Sequence, residues 1–557
     1  METFARVLLD RAGDGGTGLL FEEERHTWAD VVRESRRRAA LARHLLTAGR
    51  PPHIGVLLDN VPDYVFWIGG AALSGSVIVG INPTRRGREL AHDIRHTDCQ
   101  VIVTDTAHAA LLDGLDTGVP PGRVLRVDDP GHADLLASAK HADLLAPARH
   151  TGLFASAEPV PAAEPQPRDP LLLLFTSGST GAPKAVVCGQ GRLAAIARQA
   201  PAFGITAGSV TYAAMPLFHG NAVMANLAMA TGAGAAVALR RRFSASGFLP
   251  DVRRYGVTYF NYVGRALAYI LATPRRDDDA DNPLEVAFGT EASARDMADF
   301  AGRFGCRLIE SYGSSEGAIS LRKTPDSPPD ALGLPPGGAD VAVADPATGE
   351  ECPPARFGPD GELLNGDEAI GEIIARRVTF EGYYRNPAAD AERLRDGVYW
   401  SGDLGYRDAD GFFYFAGRGG DRLRVDGENF AAAPVERILS RWPPVVMCAV
   451  YPVPDPRTGD QVMAALELDG LFAPEAFAEF LAGRADLGTK WAPRFVRIVP
   501  AMPLTATNKV DKGPLRRAGW RGGEVWWRPG RELRYEPLTD DARRCLEEEA
   551  AAHGRRL

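Results

Sequence analysis

Short apolar segments recur along the first half of this chain, and this pattern limits the folds that it can adopt. They occupy residues 53–58, 76–81, 99–104, 123–127, 171–175, 235–239 and 257–263. Stretches of helical character separate many of them, such as residues 28–46, which carry apolar side chains at helical spacing. Buried strands that alternate with helices are typical of α/β proteins with largely parallel sheets. The pattern therefore predicts an α/β fold.

A different order of segments begins near residue 410 of the 557-residue chain. A strand-like run is followed by a turn-rich loop at 419–430, a helix-like stretch at 432–442 and two further strand-like runs. A chain of this length is too long for one hydrophobic core, so a separate C-terminal unit is reasonable. We expect a large N-terminal domain over residues 1–420 and a small α+β domain over residues 421–557.

One uncharged stretch, residues 220–239, is long enough to cross a bilayer. Asn221 and Asn226 interrupt it, however, and most of its other residues are alanine and glycine, which insert weakly. The sequence "TGAG" at 231–234 divides it into a helix-like half and a strand-like half. We therefore predict a buried helix, a turn and a strand here, and no transmembrane segment.

The overall composition narrows the classes of function. The net charge of −9 argues against nucleic-acid binding, which usually depends on a basic surface. The six cysteines are scattered and none forms a C-x-x-C pair, which argues against a zinc ribbon or a disulfide framework and suits a reducing compartment. The first residues lack the apolar core of a secretory signal. We expect a cytoplasmic protein with no nucleic-acid partner.

The segment "TSGSTGAPK" at 176–184 has the composition of a phosphate-binding loop. It directly follows an apolar, strand-like run at 171–175. Glycines let backbone N–H groups approach a ligand closely, hydroxyls add donors, and Lys184 adds positive charge. It is not a Walker A loop, because Pro183 precedes the lysine and Ala185 follows it. The segment therefore predicts a phosphate-binding loop, but one that does not belong to the Walker A class of nucleotide-binding proteins.

Five further motifs follow this loop in a fixed order. They are "YAAMPLFHGNA" at 212–222, "FGTEAS" at 288–293, "ESYGSSEG" at 310–317, "YWSGDLGYRDADGFFYFAGRGGDRLRVDGENF" at 399–430 and "PLTATNKVDKGPLR" at 503–516. With them the chain resembles the adenylate-forming superfamily, which includes acyl-CoA synthetases, peptide-synthetase adenylation domains and firefly luciferase. "VDGENFAAAPVE" and "TATNKV" are most similar to actinobacterial fatty-acid–CoA ligases of the very-long-chain and transport-protein branch.

The resemblance implies both a fold and a reaction. The fold is a large N-terminal domain of stacked αβ sheets (αβαβα) with a β-structured subdomain, followed by a small, mobile α+β domain. The reaction depends on ATP and Mg²⁺, and it activates a medium- to long-chain fatty acid as an acyl adenylate. Coenzyme A then displaces AMP, which makes the protein an acid–thiol ligase. Many members of the superfamily are homodimers, so a homodimer is a further expectation.

The resemblance also assigns the nucleotide contacts. The predicted phosphate-loop contacts are Thr176, Ser177, Gly178, Ser179, Thr180, Gly181 and Lys184. The other predicted contacts are Tyr312 against adenine, Thr290 and Glu291 along the pocket, Asp403 at the ribose hydroxyls and Arg418 at the ribose and phosphates. The Asp403 assignment is chemically reasonable, because two carboxylate oxygens can accept from two vicinal hydroxyl groups.

Three residues are assigned to catalysis on the same grounds. Glu316 matches the carboxylate that holds Mg²⁺, an ion that needs few protein ligands. Ser315 stands where the superfamily usually has a threonine beside the α-phosphate, and its hydroxyl can still donate. Lys509 matches the lysine that stabilises charge on the α-phosphate as the acid attacks. Asn508 replaces the commoner glycine before it, and asparagine tolerates left-handed backbone angles.

The remaining assignments concern the acid, the thiol and the motion between domains. Asp421 matches the hinge about which the small domain rotates. One orientation presents Lys509, and the other presents the loop 424–430, where Gly427 borders the pantetheine channel. His219 and Gly313 are the predicted contacts with the acid.

The sequence leaves three other functions open. The enzyme could pass its adenylate to a carrier protein instead of coenzyme A. It could activate another oxyanion, such as nitrite for the diazotisation of an aryl amine. It could also be a non-catalytic nucleotide-binding relative, although the presence of Lys509, Glu316, Asp403 and the phosphate loop argues against this. The segment 260–271 is largely apolar, which favours an apolar acid over an amino acid.

Overall fold

The computed structural model describes most of the chain. It leaves out residues 1, 143–163, 177–183, 264–265, 291, 293, 325, 329, 360–362, 379, 419–421, 426–427, 457–459, 485, 489, 506–508, 531 and 554–557. The described residues form a mixed α/β structure with a large N-terminal part and a small C-terminal part. The predicted fold class is therefore confirmed.

The first sheet has eight strands. In spatial order they are Ser320–Arg322, Arg307–Gly313, Val286–Thr290, Tyr259–Val263, Val210–Ala213, Ala236–Leu239, Thr17–Phe21 and Glu24–Thr27. The six central strands are parallel, and the two outer strands pair antiparallel with their neighbours. Carboxyl ends of parallel strands meet at one edge of a sheet, so Thr290 and Val263 lie side by side there.

The second sheet has six strands. In spatial order they are Val124–Arg126, Val101–Thr104, His53–Leu57, Val77–Gly80, Pro170–Thr176 and Lys184–Gly189. All but the last are parallel. Every residue of His53–Leu57 is buried, because helices cover such parallel sheets on both faces. This burial explains why the strands were recognisable as continuous apolar runs.

Helices cover the two sheets, and one hydrophobic core joins side chains from both of them. The α-helices are Phe4–Leu9, Trp28–Leu45, Pro62–Ser74, Gly87–His96, Thr106–Ala109, Pro130–Ala142, Gln190–Ala197, Gly220–Ala222, Met229–Ala233, Ala245–Tyr255, Ala266–Leu271 and Ala294–Phe304. The 3₁₀-helices are Ala110–Leu112, Pro121–Arg123 and Ala200–Phe203. The capping box of Thr27 and Asp30 begins Trp28–Leu45 where the sequence predicted a helix.

The segment 220–239 forms a helix, a turn and a strand, as predicted. Its helical part changes from α to π over Val223–Ala228, which the sequence did not indicate, and returns to α at Met229. Gly234 ends it in the left-handed conformation at φ 74°. Among the residues that the structure describes, none of the helices combines the length and apolar character that crossing a bilayer requires.

A third, antiparallel sheet follows and corresponds to the predicted β-structured subdomain. Its strands are Asp340–Ala344, Gly371–Arg376, Leu394–Arg395, Val398–Arg407 and Phe413–Arg418. Two short helices, Gly366–Ala369 and Pro387–Arg393, accompany it. Its longest strand, Val398–Arg407, pairs with three neighbours and carries Asp403.

The C-terminal part has its own sheets and its own core. A two-stranded sheet pairs Arg422–Val425 with Glu428–Ala431, and a five-stranded sheet contains Val445–Pro454, Asp460–Leu468, Phe495–Ile498, Val525–Trp527 and Glu536–Pro537. The helices are Ala432–Leu439, Pro474–Ala482, Lys512–Ala518 and Asp540–Ala552. Its core packs side chains such as Trp442, Phe477 and Val496. The domain boundary at residue 421 stays a prediction, and Asp421 lies outside the described residues.

Candidate active site

A hairpin of the second sheet brings together the two ends of the predicted phosphate loop. Thr176 ends one strand and stands opposite Lys184, which begins the next. The Thr176 hydroxyl donates to the Lys184 carbonyl oxygen at 3.4 Å. The loop itself lies outside the described residues, and with it the predicted contacts Ser177, Gly178, Ser179, Thr180 and Gly181.

The side chain of Lys184 is held in place by two residues that the sequence did not single out. It is only 7% exposed, and its Nζ lies 3.0 Å from Glu392 Oε2. The same Nζ lies 5.6 Å from the centre of the Tyr383 ring. The lysine hydrogen bond lowers the pKa of the Glu392 carboxyl. The Lys184 ammonium therefore lies against a carboxylate and an aromatic ring at the C-terminal end of the predicted phosphate loop.

Tyr383 connects this lysine to the predicted metal carboxylate. Its hydroxyl donates to Glu316 Oε1 at 2.8 Å. Burial and the neighbouring Glu316 charge raise the pKa of the Tyr383 hydroxyl, which keeps it a donor. Backbone hydrogen bonds between residues 382–384 and the strand Lys184–Gly189 fix its position. Lys184 thus lies over the ring of Tyr383, and Glu316 accepts from the hydroxyl of the same tyrosine.

The surroundings of Glu316 are compatible with a magnesium ion. Glu316 is 9% exposed. In the described part of the chain, its second oxygen, Oε2, makes no hydrogen bond. No group of three or more His, Cys, Asp or Glu side chains that could hold a metal is present among the described residues. Mg²⁺ often takes one or two protein carboxylates and completes its shell with phosphate oxygens and water, so a single Glu316 ligand fits.

The predicted adenine and ribose contacts are direct neighbours. The Tyr312 hydroxyl donates to Asp403 Oδ2 at 2.6 Å. Burial, and then the charge of Asp403, raise the pKa of the Tyr312 hydroxyl. Asp403 stands opposite Arg418 in the antiparallel pair of strands. The structure does not describe the Arg418 side chain. The side chains of Tyr312 and Asp403, which are 91 residues apart along the chain, thus meet at one place, and the backbone of Arg418 lies beside Asp403.

Ser315 is fixed through its backbone. The guanidinium of Arg192 donates from Nη2 to the Ser315 carbonyl oxygen at 2.6 Å. The same guanidinium lies where a Cβ on Gly317 would be, and the Gly317 φ of 66° is a left-handed angle that favours glycine. On the other side, a Cβ placed on Gly220 would lie 3.4 Å from Ser315 Oγ. Gly220 directly follows His219, so the backbone next to the predicted acid contact lies beside Ser315.

The segment after Thr290 is anchored by Glu310. Thr290 is the last residue of its strand, and Glu291 lies outside the described residues. Glu310 accepts from the Ala292 N–H at 2.9 Å and from the Tyr262 hydroxyl at 2.6 Å. Gly313 ends the strand that carries Glu310. The predicted pocket residues Thr290 and Gly313 thus lie at the carboxyl ends of adjacent parallel strands.

Lys509 lies in a tight turn of the C-terminal part. Its N–H donates to Thr505 Oγ1 at 3.2 Å, and its carbonyl oxygen accepts from the Thr505 N–H at 2.7 Å. Leu504 and Val510 pair across the ends of this turn. Residues 506–508 lie outside the described part, as do the predicted hinge Asp421 and the predicted channel residue Gly427. The structure therefore describes the turn, while the roles of these residues stay predictions.

Four side chains that shape the site were missed by sequence reasoning. They are Arg192, Glu310, Tyr383 and Glu392. Their partners are distant along the chain, for example 67 residues from Tyr383 to Glu316 and 208 residues from Glu392 to Lys184. Local patterns of charge or hydrophobicity carry no signal for such contacts, because they form only when segments that are distant along the chain pack together in the folded protein.

Comparison with known proteins defines the class to which this geometry belongs. The AMP-binding enzyme family matches residues 11–384, and the AMP-binding enzyme C-terminal domain matches residues 434–509. The chain therefore belongs to the AMP-binding enzyme family, and the resemblance to adenylate-forming enzymes is confirmed. It is an AMP-forming acid–thiol ligase, for which ATP and coenzyme A are co-substrates.

Similar proteins include ligases from actinobacteria. The chain is 52% identical over 562 residues to the steroid-22-oyl-CoA synthetase of Rhodococcus jostii, covering 99% of this chain and 98% of that protein. It is 43% identical over 528 residues to the medium/long-chain-fatty-acid–CoA ligase FadD17 of Mycobacterium marinum, covering 94% and 98%. The fold is also similar to that of the anthranilate CoA ligase AuaEII in complex with anthranoyl-AMP. That match has a TM-score of 0.78 at 21% identity and covers 93% of this chain and 97% of the other.

Proposed function

We propose that this protein converts a large apolar carboxylic acid into its coenzyme A thioester through an acyl adenylate. The observation that carries the proposal is the position of Tyr383 between Lys184 and Glu316. This contact joins the base of the phosphate loop to a buried carboxylate with one oxygen left for a cation. Such a pair of groups suits a nucleoside triphosphate with its Mg²⁺.

In the first half-reaction a carboxylate oxygen of the acid forms a bond to the α-phosphorus of ATP. The bond from that phosphorus to pyrophosphate breaks, and its electron pair leaves with pyrophosphate. We assign Lys184 to the phosphates that leave, Asp403 to the ribose and Tyr312 to adenine. In the second half-reaction the sulfur of coenzyme A forms a bond to the acyl carbon and the thiol proton passes to solvent, while the bond from that carbon to the AMP oxygen breaks and AMP leaves with the oxygen that came from the acid.

We assign Glu316 as the residue that would hold Mg²⁺. When bound, the ion would supply positive charge to the phosphate oxygens. The Tyr383 hydroxyl bond to Oε1 fixes the carboxylate and leaves Oε2 for the ion. Residues that orient a metal ligand commonly contribute 10- to 100-fold to affinity or activity, so Tyr383 belongs to the proposed site as well.

Lys509 is assigned to the first half-reaction alone. Charge accumulates on the α-phosphate as the acid attacks, and a positioned ammonium is worth more in that transition state than in the ground state. Its turn belongs to the C-terminal part, which the family match and the predicted hinge at Asp421 support as a movable unit. We infer that this part rotates between the two half-reactions.

The acid that we favour is a steroid acid with a C22 carboxylate. The support is the 52% identity over almost the full length of the steroid-22-oyl-CoA synthetase. A medium- to long-chain fatty acid is the second candidate, supported by the 43% identical fatty-acid–CoA ligases. Both suit the largely apolar segments Tyr259–Val263 and Ala266–Leu271, most of whose side chains are buried. A homodimer and a cytoplasmic location remain predictions.

Product analysis by mass spectrometry tests this function. The purified protein is incubated with ATP, Mg²⁺ and coenzyme A, and with a steroid-22-oate or fatty acids of graded length. A steroid thioester at the highest kcat/KM supports the favoured acid, and a fatty acyl thioester supports the second. An adenylate that reacts only with a carrier protein, or AMP released only with nitrite and an aryl amine, would contradict the proposal. Omission of coenzyme A serves as the control for the adenylate.

A further inference from the structure

A chain of neutral polar side chains crosses the hydrophobic core of the large domain. Thr211 Oγ1 donates to Asn226 Oδ1 at 2.8 Å, and Asn226 Nδ2 donates to Asn261 Oδ1 at 2.7 Å. Asn261 Nδ2 then donates to Asn221 Oδ1 at 2.7 Å. The first three residues are 0% exposed, and Asn221 is half-buried. We call these four residues the amide chain.

The amide chain has a direction. Each buried carboxamide accepts on its oxygen and donates from its nitrogen toward the next residue, and the last acceptor is the oxygen of Asn221. In the part of the chain that the structure describes, Asn221 Nδ2 makes no hydrogen bond. The chain therefore ends in a fixed, neutral N–H donor. Burying polar groups of this kind is unfavourable unless they are hydrogen-bonded, and apolar side chains would fill the same space without that requirement. The presence of a complete polar chain in this core therefore calls for an explanation.

The backbone next to Asn221, at the open end of the amide chain, lies beside the proposed reaction centre. Asn221 follows Gly220, whose added Cβ would be 3.4 Å from Ser315 Oγ and 3.5 Å from Leu174 Cδ1. Leu174 belongs to the strand that leads into the phosphate loop. Asn226 lies in the π-helical turn Val223–Ala228, a distortion that is frequent at functional sites. The other end of the chain, at Thr211, lies within the first sheet.

We propose that Asn221 Nδ2 binds the carboxylate of the acid substrate and orients it toward the α-phosphorus. Thr211, Asn226 and Asn261 are then positioning residues that fix the carboxamide of Asn221. This inference rests on the proposed function and adds a substrate contact to it. A neutral donor suits the chemistry, because the bound oxygen must give up its negative charge as it forms the bond to phosphorus. A cation at this position would stabilise the attacking carboxylate in the ground state. No proton is transferred to or from Asn221.

Two substitutions at Asn221 separate this role from a structural one. Asn221→Asp keeps the oxygen that accepts from Asn261, and it replaces only the terminal donor with a negatively charged acceptor. Asn221→Leu removes both. Loss of a hydrogen bond to a charged group typically weakens binding by about 10- to 100-fold. We therefore expect the KM for dodecanoate and for a steroid-22-oate to rise by about 10-fold or more in Asn221→Leu, with a larger loss in Asn221→Asp. The KM for ATP stays within about twofold, since no nucleotide contact changes.

The second half-reaction provides an internal control. Preformed acyl adenylate contains no free carboxylate, so both variants should convert it to thioester at the wild-type rate. Asn282→Leu is the matched control, because this amide donates to the carbonyl oxygens of Asp279 and Phe304 ahead of the strand Val286–Thr290, away from its carboxyl end. Its kinetic constants should match those of the wild type. Thr211→Val, which only weakens the far end of the chain, should raise the acid KM a few-fold.

The outcomes are distinguishable. An unchanged acid KM in Asn221→Asp would overturn the inference and leave the proposed function intact. Equal losses in both half-reactions would also overturn it, because they would indicate a structural role. A wild-type enzyme that releases no AMP with any of the acids would overturn the proposed function and this inference together.

Discussion

The two sides of the candidate site bury different kinds of polar group. On the nucleotide side, which comprises Lys184, Tyr312, Glu316, Tyr383 and Asp403, two carboxylates accept hydrogen bonds from tyrosine hydroxyls, and a lysine pairs with Glu392. On the acyl side, the amide chain contains only hydroxyl and carboxamide groups. Of these two sets of residues, only the nucleotide set carries formal charges, and the amide chain carries none.

This difference follows from what each side has to bind. A triphosphate, its metal ion and a ribose diol need formal charges and strong acceptors, and tyrosine donors hold these carboxylates without neutralising them. An attacking carboxylate needs to be oriented while it keeps its reactivity, so a neutral donor is more suitable. The predictions below test the two sides separately and proceed from the largest expected effect to the smallest.

Removal of the Lys509 ammonium is expected to have the largest effect. Lys509→Ala should lower the rate of adenylation by roughly 100-fold or more, which corresponds to about 3 kcal/mol, because charge on the α-phosphate is no longer stabilised. Thioester formation from preformed acyl adenylate should be spared. The two half-reactions are measured separately, by pyrophosphate release and by thioester formation.

Lys512→Ala is the matched control for this variant. The Lys512 ammonium lies 2.9 Å from Glu436 Oε1, close in sequence to Lys509. Adenylation by the control should remain near the wild-type rate. If Lys509→Ala slowed both half-reactions equally, its assignment to the first alone would be wrong.

Glu316→Gln tests the charge on the nucleotide side. The amide retains an oxygen for the Tyr383 hydroxyl but lacks the negative charge that a cation requires. We expect kcat/KM for MgATP to fall by roughly 30- to 100-fold. Titration of the variant with Mg²⁺ should show a weaker dependence of activity on the metal, whereas a wild-type magnesium dependence would contradict the assignment.

Part of this arrangement could be predicted from the sequence. Parallel strands buried on both faces are continuous apolar runs, so residues 53–58 and 76–81 marked two strands of the second sheet correctly. Residues such as Glu316 and Asp403 could be predicted as site residues because they lie in motifs of the family, and their roles stay predictions. The fold class needed no tertiary information.

Other features depend on tertiary contacts that sequence patterns do not encode. Tyr383 meets Glu316 only because residues 382–384 add to the edge of the second sheet. The π-helical turn Val223–Ala228 lies in a run of alanine and apolar residues that could equally have continued as an α-helix. The amide chain joins three segments, and sequence reasoning noted Asn221 and Asn226 only as polar residues in an apolar stretch.

Tyr383→Phe should have an intermediate effect. It removes the hydroxyl that fixes Glu316 Oε1 and leaves the aromatic ring beside Lys184. We expect about a 10-fold decrease in activity, mainly through weaker binding of the metal. Excess Mg²⁺ should restore part of the loss. If metal concentration had no influence, Tyr383 would act on something other than the Glu316 carboxylate.

Glu392→Gln should have the smallest effect. Its side chain is 56% exposed, and ion pairs with an exposed partner contribute little. We expect less than about a threefold change in the KM for ATP. A change of 10-fold or more, measured at two salt concentrations, would show that Glu392 holds Lys184 more strongly than its exposure indicates.

The central claim is that a carboxylate oxygen of the substrate attacks the α-phosphorus of ATP. Isotope transfer tests it directly: an acid that the protein activates is prepared with ¹⁸O in its carboxylate, and the products are examined by ³¹P NMR and mass spectrometry. We predict that each released AMP carries one ¹⁸O, that pyrophosphate carries none, and that the thioester retains the other. Unlabelled AMP, or label in orthophosphate together with ADP, would contradict the claim, because the acid would then have reacted at a different phosphorus.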